Sequence, residues 1–260
     1  MGNDHWPLFD VEVRTPRLTL RYLDDTLARE VLDVAKQGVH DPATMPFSIP
    51  WTDLPSPQME QEAMRFYART RADVRPLAWN LQFAVIVDGS AIGACDLGSS
   101  DFAVLRQFTT GSWLGREFHG NGYGKEMRLA ALTLGFDGLG AEFARTALWH
   151  DNAPSLGVTR SLGYEQIGHS RQLRRGVPDQ QLEFRMPRTH WETIRRHDIE
   201  RSGTDAARRF LDLGRSCSQP VWGPTRLISS AGGRTGPGVR PRSDPGAGRA
   251  SRPVQRAAHG

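Results

Sequence analysis

Residues 119–136 read HGNGYGKEMRLAALTLGF, with glycines at 120, 122 and 124 directly before a run of helical spacing. Glycine there gives no side chain to pack and costs backbone order. It makes sense where the backbone itself must touch a ligand. The first N–H groups of a helix have no partner inside it, and the positive end of its dipole points the same way. A phosphate fits such a place without any charged side chain. Gly124-Lys125-Glu126 is not the Gly-Lys-Ser/Thr ending of a nucleoside-triphosphate loop. The loop also falls in mid-chain, after several strands, where a dinucleotide fingerprint would stand at the first strand-helix unit. The chemistry to expect is phosphate binding by backbone amides from His119, Gly120, Asn121, Gly122, Tyr123, Gly124 and Lys125.

Strands and helices must position that loop. LTLRYL (18–23) reads as a strand, and Asp24 or Asp25 can cap a helix running to about Gly38. Residues 39–57 hold five prolines and form a loop. A helix is expected over 58–73, then strands at 80–89, 91–99 and 108–115. Asp88-Gly89 marks a hairpin between the first two. A helix from Gly122 to Leu139, a strand at 142–149, a short helix at 152–164 and a strand pair at 165–173 and 180–188 follow, with a last helical turn at 191–196. Early hairpins and a later strand-helix-strand unit imply a mixed α/β chain: a largely antiparallel sheet of about seven strands with helices on both faces.

Composition sets the outer limits. The 260 residues carry a formal charge of +4, but eleven arginines against three aspartates give residues 201–260 a charge of +8 and leave −4 for residues 1–200. That last stretch holds ten Gly and six Pro, a balance that buries too little apolar surface to offset ordering entropy. The expected organisation is a folded domain over 11–195 and an Arg/Gly/Pro-rich disordered tail over 205–260. Nucleic acid is not an expected partner except through that basic tail. No apolar run is long enough for a membrane helix, the N-terminus has no signal-peptide pattern, and Cys95 and Cys217 give no disulfide or metal framework. The expected compartment is the reducing cytoplasm, with no metal and no membrane partner. Oligomeric state stays open, a homo-oligomer among the possibilities.

The unit GSWLGREFHGNGYGKEMRLAALTLGF resembles motif A of the GNAT superfamily of N-acyltransferases, whose Q/R-x-x-G-x-G/A loop holds the pyrophosphate of coenzyme A. His119, Gly122 and Gly124 occupy the marked positions, with His119 in place of the usual Gln or Arg. WHDNAPSLGVTRSLGY resembles motif B of the RimJ/RimL-like branch through Asn152, Ser155 and Leu162-Gly163-Tyr164. The opening WPLFDVEVRTPRLTLR and the loop HDPATMPFSIPW are similar to an actinobacterial subset of that branch with a succinyl-CoA-using member. The resemblance spans about residues 11–190. It implies a GNAT fold with a splayed central strand pair and acetyl-CoA or succinyl-CoA as co-substrate. It further implies transfer of the acyl group to a primary amine of a protein or small molecule. The backbone of Ser112, Trp113 and Leu114 would pair with pantetheine, Asn152 would bind it or start its helix, and Ser155 would protonate the leaving thiolate. A CoA-binding regulatory protein without turnover is the alternative reading.

The residues alone single out no general base. Asp96, Asp101, Glu183 and His150 are candidates from strand ends and loops. Met45, Phe47 and Trp51 would line an acceptor pocket or seal the sheet edge. Arg75, Arg106 and Arg116 are neighbourhood candidates for a carboxylate on the donor.

Overall fold

A computed structural model describes residues 3–214. Its nine strands are β1 (Glu12–Arg14), β2 (Thr19–Tyr22), β3 (Ala78–Val87), β4 (Ser90–Ser100), β5 (Gln107–Leu114), β6 (Phe143–Trp149), β7 (Glu165–Arg174), β8 (Val177–Pro187) and β9 (Glu200–Ser202). They form one sheet in the order β7-β8-β6-β5-β4-β3-β2-β1-β9, antiparallel throughout except for the parallel β5–β6 pair. Seven helices accompany it: α1 (Asp25–Lys36), α2 (Gln58–Ala72), α3 (Phe102–Leu105), α4 (Tyr123–Thr133), α5 (Ala153–Ser161), α6 (Arg188–Ile194) and α7 (Thr204–Phe210). The mixed, mostly antiparallel architecture is the expected one.

Local chemistry explains the main elements. Asp24 caps α1 by accepting from Leu27 N at 2.8 Å, and Leu27, Ala28, Val31, Leu32 and Ala35 form its buried stripe. Asp88 (φ 50°) and Gly89 (φ 81°) make the two-residue turn between β3 and β4. The expected helix to Leu139 does not stay α throughout. After Thr133 it widens into a π turn over Leu134–Gly138, closed by Leu139 N donating to Leu134 O at 2.8 Å. Gly135 lies in that turn because a Cβ there would sit 2.1 Å from Phe108 Cζ.

Two expectations need correction. The sheet has nine strands, not about seven, because β1 and β9 are three-residue pairs too short to show an alternation. The fold also continues past residue 195. β9 pairs with β1, and Ala207, Leu211 and Leu213 bury themselves in the main core. The boundary expected at 205 therefore falls inside α7, which carries a buried apolar side in a segment otherwise rich in charge. The remainder of the expected tail, from residue 215, and Cys217 lie outside the described residues. Among the described residues no helix is long and apolar enough to cross a membrane.

Candidate active site

The glycine loop joins β5 to α4 on the parallel side of the sheet. Gly120 (φ 79°) and Gly122 (φ 80°) adopt left-handed backbone, and Gly122 is the N-cap of α4. No side chain caps this helix. The loop's carbonyls, by contrast, are held from outside. His119 Nε2 lies 3.0 Å from Leu114 O, Asn121 Nδ2 donates to His119 O at 3.2 Å, and Arg17 Nη1 donates to Asn121 O at 3.1 Å. Arg17 also stands 5.0 Å from the Tyr123 ring centroid. Lys125 is exposed and has no ion pair among the described residues. An acid, Glu126, occupies the first turn, where its charge would oppose a bound anion. It is answered by Thr15 Oγ1 and Arg17 Nε, each donating at 2.6 Å, and by Arg17 N at 3.1 Å. Burial pushes the Glu126 carboxyl up, but these donors outweigh it and hold the group below its ordinary value. Nothing in the sequence linked Thr15 and Arg17 to this loop.

Strand β5 has one closed edge and one open edge. Toward β4 it is paired from Thr109 to Leu114, and Gly115 N continues the ladder to Ile92 O at 2.8 Å. Toward β6 the pairing covers only Gln107–Thr109 against Phe143–Arg145. One further link, Thr146 Oγ1 donating to Thr110 O at 3.3 Å, closes the crotch, and beyond it the strands part. This is the splayed pair that the motif resemblance implied. Backbone groups alternate between the two edges of a strand. Thr110 O and Leu114 O face the open edge, so the N–H and C=O of Ser112 between them do too. Trp113 is turned the other way: a Cβ on Gly93 of β4 would sit 2.2 Å from Trp113 O. The expected backbone trio therefore divides. Ser112 and Leu114 face the gap, with Leu114 O already engaged by His119, while Trp113 belongs to the β4 ladder.

Beneath the gap, on the α4 face, lies a buried polar floor. Arg128 of α4 donates through Nη2 to Ser112 Oγ at 3.5 Å, and its Nη1 has no partner. Thr110 Oγ1 and Tyr164 OH are buried beside it, and the Tyr164 hydroxyl lies within hydrogen-bonding reach of both Arg128 and Thr110. Burial pushes the Tyr164 hydroxyl up, with the Arg128 charge opposing.

The opposite face carries Asp96. It stands directly across from Gly111, and a Cβ on that glycine would lie 2.4 Å from Asp96 Oδ1. Burial pushes the Asp96 carboxyl up to about 6, while Arg128, the Gly111 amide and the Asn80 side chain pull it down. The other base candidates are engaged or peripheral. Asp101 is exposed at the start of α3, Glu183 pairs with Arg145 at 3.4 Å, and His150 meets Asp179 at 3.1 Å.

The proline-rich loop closes this face. His40, Phe47, Trp51 and Trp113 stand in a row with ring centroids 5.6, 5.3 and 5.6 Å apart. Met45 is buried, and its carbonyl accepts from Arg174 Nε at 2.8 Å. Arg174 lies 4.9 Å from the Trp149 ring centroid, and Arg175 holds Asp53 through two nitrogens at 2.6 and 2.8 Å. The β7–β8 turn thus straps the loop across the end of β6. Arg75 and Arg106 are spent on backbone carbonyls, and Arg116 is exposed beside the glycine loop.

Helix α5 packs beside the start of α4, where a Cβ on Gly124 would touch Val158 Cγ2 at 3.8 Å. Asn152 is its cap, accepting from Ser155 N at 3.3 Å. Among the described residues the Ser155 hydroxyl makes no hydrogen bond.

Comparison with known proteins agrees with this geometry. The acetyltransferase (GNAT) domain profile matches residues 17–165, more than half of the chain. Solved structures of the same fold include a ribosomal-protein-S5-alanine acetyltransferase from Vibrio fischeri, 16% identical with a TM-score of 0.54, covering 68% of this chain and 97% of its own. A spermidine N-acetyltransferase chimera from Vibrio cholerae and hSSAT is 18% identical with a TM-score of 0.55, covering 68% and 98%. A GNAT-family acetyltransferase from Bacillus anthracis is 15% identical with a TM-score of 0.51, covering 68% and 99%. With a domain match over most of the folded region, a strand pair that parts before a glycine loop, and a helix start without a side-chain cap, the chain belongs to the GNAT acetyltransferase family.

Proposed function

We propose that the protein is an N-acyltransferase of the RimJ/RimL-like kind that moves an acyl group from a CoA thioester directly to a primary amine. One observation carries this reading. The open edge of β5 leads to the uncapped first turn of α4, and across the same strand the Asp96 carboxyl, raised toward neutrality, lies over Gly111, which has no side chain to cover it. The amides from Gly120 to Lys125 receive the pyrophosphate, with Lys125 as added positive charge. The Ser112 N–H meets the thioester oxygen and stabilises it as negative charge develops. Asp96 takes a proton from the attacking amine, the new C–N bond forms, and the C–S bond breaks. Ser155 supplies the proton to the departing thiolate sulfur. A carboxyl that titrates near the working pH suits the base role better than an ordinary aspartate. That favours turnover over a silent CoA-binding protein.

The donor is acetyl-CoA or succinyl-CoA. The buried Arg128 guanidinium beside the gap, next to Thr110 Oγ1 and Tyr164 OH, supports the second, since it is a cation that a free carboxylate could meet there. Arg75, Arg106 and Arg116 offer nothing comparable.

The test is acyl transfer to a panel of amines from both donors, followed against pH. With Asp96 as base, kcat/KM rises about tenfold per pH unit below about 6 and levels off above it. Asp96→Asn lowers kcat by about 10²–10⁴. The same variant is more stable than wild type at pH 7. A carboxyl raised in the folded state contributes stability that is present below its unfolded value of 3.8 and lost as pH rises through about 6. Full activity in Asp96→Asn would remove the base assignment. Arg128→Met lowers use of succinyl-CoA at least tenfold more than use of acetyl-CoA, which falls only because the Asp96 carboxyl loses the charge that holds it down; equal losses with both donors would sink the carboxylate reading.

A further inference from the structure

At the far end of α4 an open groove of about 510 Å³ lies between the π turn, α6 and β9. Its charged lining is Arg188, Arg195, Arg196, His197 and Arg201 against a single acid, Asp137. Two of these arginines are spoken for. Arg188 donates to Phe136 O and Ala141 O, each at 2.6 Å, and lies near Glu142 and Asp137, while Arg196 pairs with Asp198. Arg195 and Arg201 have no ion-pair partner among the described residues, while His197 lies beside Asp198. Two guanidinium groups thus share one concavity without an ion-pair partner, and like charges held together cost energy that a bound anion offsets.

A helix C-terminus ordinarily repels an anion. Here the carbonyls at the end of α4 are already covered, by Arg188 on Phe136 and Ala141 and by Arg208 Nη1 on Gly138 O at 3.4 Å. That leaves the two free arginines available for a ligand. We infer that this groove binds a compact phosphate ester of about mononucleotide size, at a site separate from the CoA loop. The volume falls within the usual range for small-ligand sites of roughly 300–1,000 Å³. The eleven residues of α4 span about 16 Å between the glycine loop and the π turn that forms one wall of the groove, while Arg196 on the opposite wall lies within electrostatic reach of Glu126. An extended nucleic acid fits less well, because the elements that form the groove also carry exposed Glu192 and Glu200, and Asp205 follows them on α7. Those acids repel a long polyanion but leave a small ester to meet the lining alone.

The test uses the full chain saturated with CoA, so that the glycine loop is occupied. AMP, inorganic phosphate and a 20-nucleotide RNA are titrated by calorimetry. One AMP binds per chain, inorganic phosphate binds more weakly, and the double variant Arg195→Ala/Arg201→Ala loses at least tenfold in AMP affinity while its CoA affinity is unchanged. Both side chains are exposed, so the variant folds, and its melting temperature verifies this. No AMP binding, unaltered binding in the double variant, or binding only after CoA is removed would each overturn the site. RNA binding without AMP binding would overturn the small-ligand assignment and make the groove a macromolecular surface.

Discussion

Helices α4 and α5 start side by side, and they start differently. At α5 the Asn152 side chain accepts from Ser155 N, satisfying one of the amides that every helix leaves over. At α4 the cap is Gly122 in left-handed backbone, and no side chain accepts from the first amides. Asp24 gives α1 the same kind of cap, whereas α2, α3, α6 and α7 have no side-chain cap, like α4. The α4 end therefore lacks the side-chain acceptor that its neighbour α5 has. Three of its surroundings supply donors instead: Arg17, Lys125 and the amides themselves. A self-sufficient helix start serves stability, and an unfinished one suits an incoming anion.

The largest expected effect follows from closing the unfinished end. Gly122→Val forces a β-branched residue into φ 80°, a conformation costing about 1–3 kcal/mol, and sets side-chain atoms in front of the amides. CoA affinity, read by titration calorimetry, falls about a hundredfold. Gly120→Ala separates the two causes, since a Cβ there meets nothing within 4 Å and only the backbone strain remains. If that variant binds CoA as weakly as Gly122→Val, strain and not access is what matters.

Next comes Arg17→Ala, which leaves the Glu126 charge unmatched in the first turn. CoA affinity drops about tenfold, and the loss shrinks at high salt because Arg17 is half exposed. Glu126→Gln in the same background restores binding if the repulsion argument is right, and leaves it unchanged if Arg17 itself touches phosphate. The pair also carries a pH signature. The Glu126 carboxyl is held below its usual range, so its contribution to stability is present above 4.5 and fades as pH falls below that value.

Much of this was legible in the residues. The three glycines and the helix after them mark the loop. Asn152 at an N-cap position marks the start of α5, and Asp88-Gly89 marks its hairpin. What the sequence could not convey was long-range partnership. Arg17 and Glu126 lie 109 positions apart. Asp96 looked like any strand aspartate until the register set it against Gly111 and buried it. Arg128 sits in a helix whose spacing says only that one side is buried, not that a cation lies on that side. The backbone direction of Trp113 depends on which edge of β5 stays unpaired, and alternation alone leaves both edges equivalent. The strands β1 and β9 stayed hidden because three residues carry no period, and α7 because its few apolar positions are set among charges.

The smallest effects test the finished helix. Ser155→Ala keeps the backbone amide that Asn152 accepts from, so stability is unchanged, while loss of the thiolate's proton donor lowers kcat about tenfold at constant KM. Asn152→Ala does the reverse. It removes a cap worth about 1 kcal/mol, which thermal unfolding detects, and it spares kcat if Asn152 only starts the helix. A fall in CoA affinity larger than the fall in stability would give Asn152 direct contact with pantetheine. In that case the neat division between a structural helix start and a ligand-binding one breaks down, because the α5 cap would serve both purposes with the same side-chain oxygen and amide.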